Sequence, residues 1–170
     1  PADERVADYT VEYKYQYPGY ANNGSLYTSM RANESGATYD IWSGYRVQLR
    51  NGVATASNQT APISLYAGST KIATSADYTP TDASGVVNVR MSAIGDNIQY
   101  YIDNNKIFDV TDASYKNAGT TGFWDNNSTT WWNPSYIDDV SVTSVTKLGD
   151  IPQKVEIVSY NADSDTVYLE

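Results

Sequence analysis

Cysteine and histidine are both absent from this chain of 170 residues. Without cysteine there is no disulfide, no thiolate metal site and no thiol nucleophile. Without histidine the usual general base at neutral pH is missing, and a Ser-His-Asp triad is excluded. Positive charge is also in short supply: 11 Lys and Arg stand against 20 Asp and Glu, a formal net charge of -9. A surface of that sign repels phosphate backbones and anionic lipids, so nucleic acid and membrane are not expected partners. Nor does any apolar run approach the roughly 20 residues that a membrane helix needs. What the chain does have is a 41% hydrophobic content, enough for one sizeable core, together with 16 Tyr and 4 Trp. Few catalytic groups and many flat amphipathic rings suit a module that holds a polar ligand better than one that transforms it. The excess of Asn, Ser, Thr, Gly and Tyr over Lys and Glu points to a secreted or cell-surface setting.

The clearest pattern is at Tyr9 to Tyr17, where Tyr9, Val11, Tyr13, Tyr15 and Tyr17 alternate with Thr10, Glu12, Lys14 and Gln16. A period of two predicts a strand with one buried and one wet face. The same period recurs. Leu26, Thr28 and Met30 alternate with Tyr27, Ser29 and Arg31; Tyr45, Val47 and Leu49 with Arg46, Gln48 and Arg50; Val87, Val89 and Met91 with Asn88, Arg90 and Ser92; Ile98, Tyr100 and Ile102 with Gln99, Tyr101 and Asp103. Asn51-Gly52, Gly95-Asp96-Asn97 and Asp103-Asn104-Asn105-Lys106 read as tight turns between them. A last strand is expected at Tyr136 to Val145, with Val140 and Val142 on one face. No window carries a capped 3.6 period, although one short helical turn is expected around Asp112 to Lys116. The pattern predicts an all-β fold, an antiparallel β-sandwich or jelly roll, over residues 1–146. Residues 147–170 read as a linker and a β-hairpin, either packed back on the sandwich or opening a neighbouring domain.

Three stretches carry a resemblance to a known family. Asp96 to Asp112 (Asp-Asn-Ile-Gln-Tyr-Tyr-Ile-Asp-Asn-Asn-Lys-Ile-Phe-Asp-Val-Thr-Asp), Tyr136 to Val142 (Tyr-Ile-Asp-Asp-Val-Ser-Val) and Ala7 to Glu12 (Ala-Asp-Tyr-Thr-Val-Glu) resemble strands of the concanavalin A-like lectin/glucanase superfamily. The motifs recur across laminin-G-like, fructan-binding and related carbohydrate-binding modules, and the chain resembles that type. Asn104-Asn105 stands where that family usually has Asp-Gly or Gly. The family usually has strands before the segment resembling Ala7 to Glu12, and the C-terminal hairpin would fill that gap. The resemblance implies a non-catalytic carbohydrate-binding module of a larger secreted bacterial enzyme or adhesin, with a glycan or polysaccharide as partner alongside neighbouring domains of the same polypeptide. It also implies a structural calcium near the Asp of the last strand. The alternative is a structural or protein-interaction module of a surface adhesin or multidomain enzyme.

The residues agree with a non-enzyme. Glycosidases place two carboxylates across a cleft, and the Glu-x-Asp-x-x-Glu of the family's glucanases is not present. Asp138 and Asp139 are adjacent on a strand and are expected to point to opposite faces. The candidate metal set is Asp138 with Asp3 and Glu4, since calcium gathers 6 to 8 oxygens from separate loops. The candidate sugar set centres on Trp124, Asp125, Asn126, Trp131 and Trp132. Two adjacent indoles cannot both enter the core from a strand, and an exposed ring covers the apolar face of a sugar while polar groups bond its edge. Trp42 and Arg46 form a second candidate cluster. Arg31, Arg46, Arg50 and Arg90 are expected on polar strand faces, either lining a groove or pairing with acids across strands.

Overall fold

The computed structural model describes residues 6–16, 25–35, 38–39, 42–50, 61–78, 85–126, 136–144, 157–161 and 166–169. At 34–35, 38–39, 50, 61, 77, 125–126, 157–161 and 166–169 it describes the backbone alone. In chain order the strands are β1 (Tyr9–Gln16), β2 (Ser25–Ala32), β3 (Glu34–Ser35), β4 (Thr38–Tyr39), β5 (Tyr45–Arg50), β6 (Ala61–Ala67), β7 (Thr70–Tyr78), β8 (Val86–Ile94), β9 (Asn97–Ile102), β10 (Asn105–Thr111), β11 (Thr120–Asn126), β12 (Tyr136–Ser144), β13 (Ile157–Asn161) and β14 (Thr166–Leu169). Two five-stranded antiparallel sheets form, ordered β10-β9-β8-β1-β12 and β11-β2-β5-β6-β7. β13 pairs with β14, and β3 with β4. The architecture is the expected antiparallel β-sandwich, with no helix among the described residues.

The alternation of β1 becomes burial directly. Tyr9, Val11, Tyr13 and Tyr15 are inside and Glu12, Lys14 and Gln16 outside. The inward sets of β8 and β9 meet them within the same sheet, pairing Val11 with Met91 and Met91 with Tyr100. From the second sheet come Leu26, Met30, Tyr45, Val47, Leu49, Ile63 and Leu65, all buried. Phenols in this core need polar partners, and the partners cross the gap between sheets. The Tyr13 hydroxyl bonds Thr28 Oγ1 at 2.5 Å. The Tyr9 hydroxyl accepts the Arg31 amide at 2.8 Å. Each such bond contributes about 1 kcal/mol, and the cost of leaving one unmade in a dry core is larger. The bonds therefore also fix how the sheets stack.

The turns form where the sequence placed them. β8 and β9 join through Gly95, at φ 56°, and β9 and β10 through Asp103 and Asn104, at φ 48° and 64°. Consecutive positive φ values make the second a tight hairpin turn whose twist matches its strands. Asn51-Gly52 lies outside the described residues. The short helical turn expected at Asp112 to Lys116 does not form. Instead the Asp112 carboxylate accepts the Ser114 amide and the Tyr45 hydroxyl, at 2.9 and 2.8 Å. A side chain that bonds the backbone two residues on competes with a helix.

Arg31 departs most from its expected place. Strand parity puts it on the wet face, yet it is 2% exposed and has φ 53°. The left-handed residue swings its side chain toward the end of the sandwich. There Nε donates to the Ala7 carbonyl at 2.6 Å, one terminal nitrogen to the Tyr115 carbonyl at 2.7 Å, and the other to Asp8 at 3.0 Å. Asp8 also accepts the Gly95 amide at 2.9 Å, so the knot ties β1, β2, the β8–β9 turn and the segment before β11. The chain can approach so closely because Gly44 and Gly119 sit against this backbone. A Cβ on Gly44 would lie 2.5 Å from the Met30 carbonyl oxygen, and one on Gly119 2.5 Å from the Arg31 carbonyl carbon.

Candidate functional site

The outward parity of the second sheet collects what its inward parity leaves over. Trp124 of β11 stands opposite Tyr27 of β2, Tyr27 opposite Gln48 of β5, and Gln48 opposite Ser64 of β6. The next row runs Gly122, Ser29, Arg46, Tyr66 and Lys71. Trp42, in the turn that leads into β5, lies over this row.

Arg46 is the centre of the arrangement. Its guanidinium carbon is 3.8 Å from the Trp42 ring centroid, 4.6 Å from that of Tyr66 and 5.5 Å from that of Tyr27. On an outward face it is nonetheless only 2% exposed, because rings cover it. A cation against aromatic faces is attracted by their quadrupoles, by about 1–2 kcal/mol where water is excluded. The rings also pack on one another. Tyr27 and Trp124 stack at 5.3 Å with 23° between planes, and Trp42 meets Trp124 edge-on at 5.9 Å. Gln48 fixes the two phenols: its amide nitrogen donates to the Tyr27 hydroxyl at 2.9 Å and its oxygen accepts from the Tyr66 hydroxyl at 3.2 Å. The result is a held wall with indole surface still open to solvent, Trp42 at 48% and Trp124 at 39% exposure. Among the described side chains of this face the charged groups are Arg46 and Lys71. No pair of carboxylates occurs among the described side chains of this face, and its rings and amide can stack on a ligand and bond its edges.

Of the residues expected from the sequence, Trp42, Arg46 and Trp124 are thus brought together as one cluster, where the sequence suggested two. β11 runs through Asp125 and Asn126, pairing the first with Leu26 and the second with Ser25; their side chains lie outside the described residues. Trp131 and Trp132 lie outside the described residues, as do Asp3 and Glu4. The arginines do not share a groove: Arg31 is in the end knot, and Arg90 is on the other sheet, over the Tyr101 ring at 4.1 Å. Tyr27, Gln48 and Tyr66 went unselected. Their signal was parity: each alternates outward in its own strand, as Arg46 does, but register alone sets them beside it.

The last strand also corrects an expectation. Asp138 and Asp139 do not alternate faces, because a bulge opposite β1 places Asp139 at φ 51°. Asp138 is opposite Lys14, and Asp139 pairs with the Lys14 amine at 2.5 Å. The Asp138 carboxylate accepts the Asp139 amide at 2.8 Å. No group of three or more metal-ligating side chains occurs among the described residues.

No protein-family model and no curated protein matches the chain. Solved structures do. The exoplasmic/lumenal domain of VIP36, in a Ca2+/Man3GlcNAc-bound form, aligns with a TM-score of 0.62 at 12% identity, over 86% of this chain and 75% of that one. The carbohydrate-binding module CBM66 from Bacillus subtilis aligns with a TM-score of 0.56 at 18% identity, over 84% and 78%. A Bacillus subtilis protein of unknown function with a galectin-like fold aligns with a TM-score of 0.59 at 15% identity, over 80% and 71%. The fold is therefore a lectin-like β-sandwich, as the sequence resemblance implied.

Proposed function

We propose that the chain is a non-catalytic carbohydrate-binding module, and that its outward face at Trp42, Trp124, Tyr27, Arg46, Gln48 and Tyr66 holds a glycan. The observation that carries this reading is the half-exposed indole wall built around a caged arginine on a lectin-like sandwich. A sugar ring has an apolar face for Trp124 and hydroxyls at its edge for the phenols, which the buried guanidinium holds in place from behind. The module is proposed to serve a larger secreted or surface protein of bacterial type, in which it delivers neighbouring domains to a polysaccharide. The laminin-G-like and fructan-binding types remain the models for it. The C-terminal hairpin is proposed to complete the sandwich or begin the next domain.

A glycan array, followed by calorimetry on its hits, tests the reading. Trp124→Ala is expected to weaken binding about tenfold or more, equivalent to about 1.4 kcal/mol, while costing only about 1 kcal/mol of stability for the lost packing on Tyr27 and Trp42, so that the chain stays folded. Full affinity in Trp124→Ala and in Trp42→Ala would remove this face as the site. An inert array would favour the structural or protein-interaction module.

Calcium has a weaker case. Its described ligand, Asp138, is exposed and already bonded to the next amide, and its neighbour Asp139 is tied to Lys14. EDTA is expected to leave Tm unchanged. A fall of several degrees, restored by calcium alone, would reinstate a site at Asp138, Asp3 and Glu4.

A further inference from the structure

The opposite side of the sandwich carries a second surface of different chemistry. The outward residues of β1, β8, β9 and β12 enclose an open groove of about 250 Å³, lined by Glu12, Lys14, Asn88, Arg90, Tyr101 and Ser141 among others. It adjoins a recess of about 440 Å³, which shares Lys14 and adds Gln16, Val86 and Tyr136. We propose that this face is a second ligand site, for an extended neutral polysaccharide chain, separate from the aromatic–arginine face and sharing no residue with it.

Three features select that ligand. The first is the placing of aromatic rings at the two ends of the groove. Tyr136 is 56% exposed and stands opposite Gln16, on the outward side of the edge strand. Tyr101 stands opposite Arg90, which stands opposite Glu12, and the Arg90 guanidinium carbon lies 4.1 Å from the Tyr101 ring centroid. From the Gln16 row to the Glu12 row is four residues along β1, and from β12 to β9 is three strand spacings. The diagonal is about 20 Å at about 3.3 Å per residue and 4.8 Å per strand. That is an oligomer's span, not a monosaccharide's.

The second feature is what lies between the rings. Asn88, Ser141, Gln16, Glu12 and Lys14 offer donors and acceptors spread along the path, as a string of hydroxyls requires. The third is charge. Glu12, Asp138 and Asp139 stand among Lys14 and Arg90 along the groove and recess, three carboxylates against two cations, and Lys14 is already paired with Asp139. A polyanion meets carboxylates there and a polycation meets amines, whereas a neutral chain meets hydrogen-bonding groups. A peptide strand would pair with a sheet edge rather than lie across a face whose backbone bonds are already made.

Nitrogen-resolved NMR titration of the whole chain tests the proposal. The probes are hexasaccharides of glucose, xylose, galactose and fructose, with hexagalacturonate as the charged control. At least one neutral probe is expected to shift amides at Asn88, Tyr101 and Tyr136. Tyr136→Ala, Tyr101→Ala and Asn88→Ala are each expected to weaken that response about tenfold while Trp124→Ala leaves it intact. Shifts at the groove without shifts at the indoles would support the second site and remove the first. Shifts confined to Trp42 and Trp124 would overturn this inference and leave the proposed function standing. Silence from every probe on both faces would overturn both. A stronger groove response to hexagalacturonate than to any neutral probe would overturn the choice of ligand.

Discussion

Arg31→Leu is expected to destabilise the fold by about 3–5 kcal/mol, the range for breaking a buried charged hydrogen-bond network by removing one partner. The loss follows from what is left behind. Leucine fills much of the volume but leaves the Ala7 and Tyr115 carbonyls without the guanidinium and leaves Asp8 with its charge uncompensated against the Gly95 turn. Arg31→Lys is expected to rescue little, because a single ammonium cannot reach three acceptors that a planar fork meets together. Arg31→Gly separates side chain from backbone. It loses the same bonds but regains about 1 kcal/mol, since φ 53° costs a glycine nothing. Urea unfolding of the three variants measures this. Arg31→Leu within about 1 kcal/mol of the parent would mean that water replaces the guanidinium and that the end of the sandwich is open.

The knot at Arg31 also shows where reading the sequence stops. Alternation gave β1, β5, β8 and β9 and their inward residues correctly, because a period of two translates into faces without knowledge of neighbours. Asp103-Asn104 gave a turn for the same local reason: both residues tolerate positive φ. Arg31 failed because parity assumes the strand continues, and its backbone turns left-handed one residue before the end of β2. Asp138 and Asp139 failed because a bulge adds a residue on one strand only. Both departures depend on what the neighbouring strand does.

The candidate site divides along the same line. Trp42, Arg46 and Trp124 were recognisable as residue types that hold sugars. Tyr27, Gln48 and Tyr66 were recognisable only as outward residues. Their placing around one guanidinium comes from pairings between β11 and β2, β2 and β5, and β5 and β6. The first of these joins segments about a hundred residues apart in sequence. No local pattern encodes that register.

Stability is expected to collapse between about pH 10 and 12, well before backbone chemistry intervenes. Burial pushes the Tyr13 phenol up to about 12, against its bonds to Thr28 and Tyr100. Burial also pushes Tyr45 up to about 12, and the Asp112 carboxylate, which would face a phenolate, adds to it. Tyr9 is raised for the same first reason. In each case the folded chain keeps a proton that the unfolded chain gives up near pH 10. The folded state's advantage is thus intact below pH 10 and drains as pH climbs through 12. Two pH units at Tyr13 alone correspond to about 3 kcal/mol, and Tyr45 and Tyr9 act in the same direction. Denaturant unfolding at stepped alkaline pH measures the slope. Tyr13→Phe is expected to cost about 1 kcal/mol at neutral pH, by stranding the Thr28 hydroxyl, and to flatten the alkaline slope by Tyr13's share. A native chain whose tyrosines all ionise near pH 10 without loss of stability would mean that water already reaches these hydroxyls. The bonds between the sheets would then be no part of what holds the sandwich closed.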